Sequence, residues 1–554
     1  MDIVSSSSTS SASSEEETSF PLVANKELPE KPVHRIRMFI SCCNLRDLYY
    51  GAKSDPYCEV WYKDDVHSRW TLILTTETIK KTLNPQFETP IEVDYCFEKN
   101  QEIQFRIFDE DQQKRACQAQ HKTTIAKIVG AHDQNYIGIL DNEHRGAKLV
   151  VMTESVVEPN LAIQMDVSCQ GLKSKKKYLG LASTNHPYLV IKKCDHLEQK
   201  EDDYKKAQVV YSSEVVHGTL NPSWQVGELP IQDLCYSNLD VPIIFEIWSA
   251  QSKSKHRIYG RVKGTPRDFL EQEGNPIPII KRQGNPYGKL IFDSFKLIHH
   301  PTIVDYLRGG WNISLSVAID FTSSNGSLSD PNSLHHIDPA KPKKLSPYEK
   351  IITRIGEVLQ SYDSNNQIPA FGFGAKPSFS AEEDQSHCFN LNGQENCEVD
   401  GIQEVLQAYR DEIENGIKLS GPSGFDQCIS TMVEYMEKRK HKSEYNIMLV
   451  ITNEPVADME KTITEIKKAS NLPMSILIIG LGDKDFQKLE MLKTEITPEG
   501  SSSRETAKFW KFNRSKDRLG ELTEKVLSGI PEQIVEYMSL NRIEPKIVQH
   551  DNVQ

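Results

Sequence analysis

The stretch "ETIKKTLNPQF" at residues 77–87 decides the fold of the first half of the chain, because it returns as "EVVHGTLNPSW" at residues 214–224. Three more segments return in the same order: "MFISCCNL" (38–45) as "MDVSCQGL" (165–172), "SDPYCEVW" (54–61) as "NHPYLVIK" (185–192), and "IQFRIFDED" (103–111) as "IIFEIWSAQ" (243–251). Four collinear pairs predict two copies of one domain that differ by loop insertions.

Within each copy the apolar residues alternate along short segments. Ile36, Met38 and Ile40 fall on one face of such a segment, and the apolar residues of 103–107 share the face of another. This period of two, with turn signals at the Asn-Pro pairs between segments, is typical of β-strands. Each copy is therefore predicted to be an all-β sandwich.

After about residue 310 the pattern changes to strands that alternate with helices. The near-continuous apolar runs typical of buried parallel strands are "ISLSVAID" (313–320), "IPAFGFG" (368–374), "YNIMLVIT" (445–452) and "MSILIIGLG" (474–482). Apolar residues recur at helical spacing over 402–413 and 519–530, and Pro531 is expected to break the last helix before one further turn, "EQIVEYM". This alternation predicts a doubly wound, Rossmann-like α/β sheet, which binds ligands beyond the carboxyl ends of its strands.

Composition limits the classes of function. The 554 residues carry a net charge of −13, which argues against nucleic acid as a partner, and 38% of them are hydrophobic. No apolar stretch reaches the roughly 18 residues of a membrane span, and the Ser- and Glu-rich first 32 residues do not resemble a signal peptide. The 11 cysteines contain no C-x-x-C pair, so reduced thiols and a cytoplasmic location are expected.

The repeated segments resemble the C2 domain, whose landmarks are "SDPY", "LNPxF/W" and "FDED". The resemblance implies that aspartates at one tip of the first sandwich bind Ca²⁺, a hard cation that prefers carboxylate oxygens. Asp55, Asp109 and Asp111 stand at matching positions, but Tyr49 replaces the expected first-loop aspartate, with Asp47 as a substitute. A last carboxylate beyond Asp111 is missing, so both a weak calcium site and no site remain open.

The second copy lacks these carboxylates, because His186, Ser249 and Gln251 stand in their places. Its two tip loops are instead basic, and they contain Lys173, Lys175, Lys176, Lys177, Lys253, Lys255 and Arg257. These residues form either a contact with anionic lipid headgroups or an ordinary solvated run of charges. In the first case each basic side chain contributes about 1 kcal/mol near the membrane surface.

The segment "DFTSSNG" resembles the D-x-[ST]-x-S signature of the von Willebrand factor A domain, which holds a metal ion at an adhesion site. The resemblance implies Mg²⁺ or Mn²⁺ bound by Asp320, Thr322, Ser324, Ser423 and Asn453. Asn453 stands where an acidic ligand is expected, so we expect weakened affinity, and a plain polar turn is the alternative.

Two C2 domains followed by an A-like domain resemble the copine family, as do the phrases "LQSYDSNNQIPAFGFGAK" (359–376) and "IPEQIVEYM" (530–538). The predicted parts are a tail (1–32), the first C2 domain (33–155), the second C2 domain (160–300), the copine-type domain (310–545) and a last tail (546–554).

The resemblance implies a non-enzymatic adaptor that binds anionic phospholipid membranes in a calcium-dependent way and recruits protein clients in signalling or trafficking. It would move from the cytoplasm to the plasma membrane or endomembranes. The alternatives are a calcium-independent scaffold with degenerate metal sites and, as a rival class, a lipid-modifying enzyme, for which no nucleophile with a matching base is visible.

Overall fold

A computed structural model gives the structure of the chain. It describes residues 34–46, 53–64, 69–110, 117–131, 134–141, 146–155, 161–173, 185–194, 207–250, 256–281, 286–338, 340–341, 343–380, 386–422, 424–482, 484–492, 504–513 and 519–546. The chain forms two compact units. One contains Val157–His300, and the other joins Arg35–Val156 to the segment that begins at Pro301.

The first sandwich lies between His34 and Ser155 and consists of two antiparallel sheets. Its strands are β1 (His34–Cys43), β2 (Pro56–Lys63), β3 (Thr71–Thr75), β4 (Ile91–Tyr95), β5 (Glu102–Asp109), β6 (Cys117–Thr124), β7 (Asn135–Ile139) and β8 (Lys148–Ser155). The sheets have the orders β4-β1-β8-β7 and β3-β2-β5-β6, and the short helix α1 (Ile125–Val129) follows β6.

The predicted alternation is confirmed in this sandwich. Ile36, Met38 and Ile40 of β1 are buried while the residues between them are partly exposed. Ile103 and Phe105 of β5 are fully buried on the facing sheet. Burying a side chain of this size contributes about 1.5–3 kcal/mol, so the period of two in the sequence directly forms the core.

The second sandwich repeats the arrangement. Its strands are β9 (Leu161–Gln170), β10 (Pro187–Lys193), β11 (Gln208–Ser212), β12 (Ser223–Pro230), β13 (Ile243–Ser249), β14 (Arg257–Gly264), β15 (Ile277–Pro278) and β16 (Lys289–His299). The sheets have the orders β12-β9-β16-β15 and β11-β10-β13-β14. Two short helices, α2 (Ile231–Cys235) and α3 (Pro266–Leu270), cover strand ends.

The Asn-Pro pairs have the same structural role in both copies. Asn84 Oδ1 accepts a hydrogen bond from the backbone N–H of Asn44 at 2.8 Å, and Asn221 Oδ1 accepts one from Gly171 at 2.8 Å. Asn44 and Gly171 both have a left-handed backbone, with φ of 59° and 63°. Asparagine and glycine tolerate this conformation, so the repeated sequence encodes the same turn twice.

The remaining elements form the α/β domain. Its strands are β17 (Asn312–Asp320), β18 (Gln367–Phe373), β19 (Ala375–Lys376), β20 (Phe389–Asn390), β21 (Glu398–Asp400), β22 (Lys418–Leu419), β23 (Glu444–Thr452), β24 (Met474–Leu481) and β25 (Ala507–Phe512). Its helices are α4 (Ile303–Arg308), α5 (Pro347–Leu359), α6 (Gly401–Glu414), α7 (Asp426–Arg439), α8 (Met459–Ala469), α9 (Gln487–Glu490), α10 (Leu519–Leu527) and α11 (Ile530–Leu540).

The four predicted strands lie side by side in one sheet of order β20-β18-β17-β23-β24-β25. β17 pairs in parallel with both β18 and β23, and β23 pairs in parallel with β24. The prediction of a buried parallel sheet is therefore confirmed. The carboxyl ends of β17 and β23 meet at one edge, and Asp320 is the last residue of β17.

One detail of the helix prediction is wrong. Pro531 lies in the first turn of α11, which continues for 11 residues rather than one further turn. A proline in the first turn removes only an N–H that has no partner inside the helix, and its fixed φ fits a helix start. Pro531 therefore begins this helix instead of ending the previous one.

The first sandwich and the α/β domain share one hydrophobic core within their compact unit. The hydroxyls of Tyr95 and Tyr362 are 2.7 Å apart and buried. The ring of Phe97 stacks on Tyr362 with centroids 4.7 Å apart, and Thr124 Oγ1 donates to Ser361 Oγ at 3.2 Å. These contacts join parts of the chain that are more than 200 residues apart.

Within the part of the chain that the structure describes, none of the helices has both the length and the apolar character that crossing a bilayer requires. The 11 cysteines are free thiols, as the sequence predicted.

Candidate functional site

The tip of the first sandwich brings together two of its four predicted calcium ligands. Asp55 directly precedes β2, Asp109 ends β5, and these strands pair with Pro56 opposite Asp109. The backbone N–H of Asp55 donates to Asp109 Oδ1 at 3.1 Å. Both residues are nearly buried, at 6% and 4% exposure. Asp47 and Asp111 lie outside the described residues.

A lysine that the sequence reasoning missed contacts Asp55 and the neighbouring Glu110. Lys80 Nζ lies 3.1 Å from Asp55 Oδ2 and 2.5 Å from Glu110 Oε2. Asp55 Oδ1 accepts a hydrogen bond from the backbone N–H of Lys81 at 2.7 Å. The Lys81 amide, followed by the Lys80 ammonium, holds the pKa of the Asp55 carboxyl below its usual value. The tip therefore contacts a cationic side chain already, and its carboxylates Asp55 and Asp109 offer the oxygen ligands that a hard cation such as Ca²⁺ prefers.

The tip of the second sandwich contains two of the seven predicted basic residues within the described part of the chain. Lys173 follows β9 and is exposed, with Nζ 5.1 Å from the centroid of the Tyr287 ring. Arg257 begins β14 and is also exposed. Backbone hydrogen bonds join the flanks of both loops at one end of the sandwich, which agrees with a shared basic tip. Lys175, Lys176, Lys177, Lys253 and Lys255 lie outside the described residues.

Histidines replace the acidic centre of this second tip. His186, at the position of Asp55, has Nδ1 3.0 Å from Nδ1 of His217. Counting along the matched segments "ETIKKTLNP" and "EVVHGTLNP", His217 stands at the position of Lys80. The two copies thus keep the same side-chain contact with different chemistry.

The third cluster lies at the carboxyl edge of the parallel sheet, around a fully buried Asp320. Its Oδ1 accepts from the backbone N–H of Thr322 at 2.8 Å, and its Oδ2 accepts from Thr452 Oγ1 at 2.7 Å and from the N–H of Asn453 at 3.1 Å. Burial raises the pKa of the Asp320 carboxyl, and these hydrogen bonds oppose that shift. Thr452 was missed because it ends an otherwise apolar strand.

Three neutral oxygens converge beside this carboxylate. Thr322 Oγ1 and Ser324 Oγ are 3.0 Å apart, and they lie 3.3 Å and 2.7 Å from Asn453 Oδ1. Adjacent ligands of an octahedral ion at 2.0–2.1 Å are separated by about 3 Å, so this oxygen triangle matches one face of a Mg²⁺ or Mn²⁺ octahedron. The cluster fits a small divalent cation in shape, while Asp320 is its one carboxylate among these four residues. Ser423 lies outside the described residues.

His335 supports this edge of the sheet through its ring and both of its ring nitrogens. Its ring stacks between Phe321 and Tyr348, with centroids 5.0 Å and 4.5 Å away. Burial lowers the pKa of His335 to about 3, so the ring is neutral at pH 7. Nε2 therefore donates to the Asp320 carbonyl at 2.9 Å, and Nδ1 accepts from the Tyr409 hydroxyl at 2.8 Å.

Across the described ranges, no group of three or more His, Cys, Asp or Glu side chains is placed to hold a metal ion. Each of the two candidate metal sites therefore needs oxygen ligands beyond such a group. At the first tip these would come from other residues of its loops, and in the edge cluster they are hydroxyl and amide oxygens.

Comparison with known proteins agrees with this architecture. The C2 domain model matches residues 36–135 and 164–277, and the copine model matches residues 333–546. Protein BONZAI 1 of Arabidopsis thaliana is 30% identical over 548 residues, which cover 92% of this chain and 91% of that protein.

Two solved structures share weaker likenesses. "BON1-C2B" is 23% identical and covers 26% of this chain and 94% of its own, with a TM-score of 0.21. A calcium-bound pair of C2 domains from Extended-Synaptotagmin 2 is 16% identical and covers 48% of this chain and 98% of its own, with a TM-score of 0.20.

The two sandwiches match the C2 model, and the α/β domain that follows them matches the copine model. One relative is 30% identical along 92% of this chain. This chain belongs to the copine family.

Proposed function

We propose that this chain is a calcium-responsive peripheral membrane adaptor that moves between the cytoplasm and the plasma membrane or endomembranes. The observation that carries the proposal is the pairing of Asp55 and Asp109 at one tip of the first C2 domain, where the Lys80 ammonium contacts Asp55. Membership of the copine family points to a binding protein rather than an enzyme.

In this proposal the first C2 domain responds to calcium. Asp55 and Asp109, with Asp47 and Asp111 from the same two loops, would supply carboxylate oxygens to Ca²⁺. A bound Ca²⁺ offsets part of the negative charge of these carboxylates and offers its remaining coordination positions to the phosphate oxygens of an anionic lipid. Without the ion, the carboxylates of the tip repel the same lipid.

The second C2 domain contributes attraction that does not depend on calcium. The exposed Lys173 and Arg257 belong to the basic tip, and each such residue contributes about 1 kcal/mol near an anionic membrane. Because this attraction is purely electrostatic, it weakens when added salt shortens the Debye length.

The α/β domain is proposed to recruit protein clients through the edge that ends in Asp320. A Mg²⁺ or Mn²⁺ ion would be held by Asp320, Thr322, Ser324 and Asn453, and Ser423 is a further candidate. Since Asp320 is the one carboxylate among these residues, a client that brings its own carboxylate would supply further negative charge to the ion.

The calcium-independent scaffold is the second candidate function, and the Lys80 contact favours it. If the ammonium of Lys80 satisfies Asp55 and Glu110 permanently, the first tip has no use for calcium, and the basic second tip alone attaches the chain to membranes.

Co-sedimentation of the full chain with phosphatidylserine-containing vesicles, in calcium or in chelator, separates the two functions. The adaptor binds more vesicles in calcium, and Asp109→Asn together with Asp111→Asn removes that increment. Asp94→Asn is the matched control, because Asp94 pairs with Arg35 at the start of β1, the end opposite the tip. Equal binding in calcium and chelator at every vesicle concentration would contradict the calcium response.

A further inference from the structure

The contact between Lys80 and Asp55 has a consequence for calcium binding. Asp55 uses both carboxylate oxygens: Oδ1 accepts from the Lys81 amide at 2.7 Å, and Oδ2 lies 3.1 Å from Lys80 Nζ. The hydrogen bond from the Lys81 N–H comes from the backbone, so it stays in place when a cation binds. Oδ2 is therefore the oxygen at which an incoming cation would meet the Lys80 ammonium.

The same ammonium also contacts a second acidic residue. Glu110 Oε2 lies 2.5 Å from Lys80 Nζ, and the Glu110 N–H donates to the Asp55 carbonyl at 3.0 Å. Asp109 adds a third carboxylate that accepts a hydrogen bond from the Asp55 N–H. Lys80 therefore bridges two carboxylates, Asp55 and Glu110, next to Asp109, although the three carboxylates are not themselves grouped closely enough to hold a metal ion.

The fold places position 80 opposite position 55, so the contact between Lys80 and Asp55 is not a chance meeting of two surface side chains. In the second C2 domain the matched residues, His217 and His186, also touch, with their Nδ1 atoms 3.0 Å apart. Position 80 therefore faces position 55 in both sandwiches, whichever side chains are present. Only in the first copy does this contact place a positive charge on an acidic residue.

Lys80 is held loosely enough to leave. Its side chain is 60% exposed, while the Asp55 side chain is 9% exposed. An ammonium on a flexible four-carbon stem can swing into solvent, whereas the carboxylate that it contacts is fixed by the backbone. A divalent ion bound at Asp55 would repel a neighbouring ammonium, so the two cations exclude each other at this oxygen.

We propose that Lys80 is a built-in cation that competes with Ca²⁺ for Asp55 and so sets the calcium concentration at which the first C2 domain responds. The inference deepens the proposed calcium response and rests on it. Without calcium, Lys80 offsets one of the negative charges of the tip, and the tip stays acidic. When calcium binds, Lys80 is released at the end of the domain that faces the lipid, where its charge favours anionic headgroups.

The test compares calcium titrations of the full chain by calorimetry for wild type, Lys80→Met and Lys127→Met. Lys127 is a matched control, because it is an exposed lysine on α1, which follows the end of β6 opposite the tip. Lys80→Met should bind calcium about tenfold more tightly, equivalent to about 1.4 kcal/mol, and Lys127→Met should bind as wild type does. In chelator, Lys80→Met alone should unfold at a lower temperature, since its tip carboxylates have lost their counterion.

Lys80→Arg provides a second variant that keeps the charge, and it should retain the weak affinity of wild type. Calcium affinity of Lys80→Met within twofold of wild type overturns the competition while leaving the calcium response intact. If neither wild type nor Lys80→Met binds calcium, the competition and the proposed calcium response both fail. Calcium binding seen only in Lys80→Met supports the competition and shows that Lys80 blocks the wild-type site.

Discussion

Replacing Tyr362 by phenylalanine tests whether the first C2 domain and the α/β domain form one cooperative unit. The Tyr362 hydroxyl lies 2.7 Å from the Tyr95 hydroxyl and donates to the Phe97 carbonyl at 3.3 Å, and all of these groups are buried. Tyr95 therefore donates to Tyr362. The substitution keeps the stacked ring and removes only the oxygen between the two partners.

The expected loss follows from the hydrogen bonds that are removed. Tyr362→Phe removes two buried hydrogen bonds, to the Tyr95 hydroxyl and to the Phe97 carbonyl, and each such bond contributes about 0.5–1.5 kcal/mol. We expect the free energy of unfolding to fall by about 2 kcal/mol, measured by urea denaturation. Tyr57→Phe is the matched control, because the Tyr57 ring stacks on Phe108 away from the shared core and is partly exposed.

A double-mutant cycle with Tyr95→Phe completes the test. Since both hydroxyls take part in one hydrogen bond, the double variant should lose about 1 kcal/mol less than the sum of the single variants. Hydrogen exchange in Tyr362→Phe should accelerate in β4 and in α5 together. A change below about 0.5 kcal/mol, or acceleration in one domain only, would refute the cooperative unit.

Three further predictions concern the other sites. Asn453→Asp adds a carboxylate to the oxygen triangle, so Mn²⁺ should bind at least about tenfold more tightly, as measured by calorimetry. Mn²⁺ should also raise the melting temperature of the variant more than that of wild type. Equal Mn²⁺ affinity of variant and wild type would show that the triangle is not a metal site. Glu246→Gln in the second C2 domain should lower the free energy of unfolding in urea by about 3 kcal/mol, because the fully buried Glu246 carboxylate lies within 3.0 Å of both Arg261 and Lys192. Asp240→Asn, which breaks an exposed ion pair, should lower it by less than about 1 kcal/mol. Equal losses in the two variants would contradict the effect of burial. Lys173→Gln should weaken calcium-free binding to phosphatidylserine vesicles about fivefold and reduce its salt dependence, whereas an unchanged salt dependence would place the basic tip away from the lipid.

The sequence predicts the fold well wherever periodicity carries the information. The spacing of Ile36, Met38 and Ile40 placed them on one face of a strand, and the structure buries all three. The parallel strands were visible as apolar runs because both faces of that sheet are covered. Pro531 was misplaced because a proline at the start of a helix and one after its end look alike in a single sequence.

Contacts between distant segments could not be predicted in this way. Tyr95 and Tyr362 have no periodic signal that relates them, and each is an ordinary tyrosine in its own segment. Their partnership depends on how two domains pack, which neither local propensity nor spacing encodes. The shared core of the first C2 domain and the α/β domain was therefore missed.

The candidate sites were predicted in part. The acidic and hydroxyl residues were found because they follow known motifs, and the structure places Asp320, Thr322, Ser324 and Asn453 in one cluster. Lys80 was missed because two consecutive lysines in a single sequence usually indicate solvent-exposed surface residues. The repeat offered a signal, since aligning the two copies sets Lys80 opposite His217, as it sets Asp55 opposite His186.

The central claim is that Asp55 and Asp109 capture calcium at the first tip and thereby attach the chain to anionic lipid. Calorimetry of calcium titrated into the full chain, with and without phosphatidylserine vesicles, tests it most directly. We expect saturable heat in wild type, a higher apparent affinity when vesicles are present, and loss of both in Asp55→Asn with Asp109→Asn. No calcium heat in wild type even with vesicles, or the same heat in the double variant, would contradict the claim.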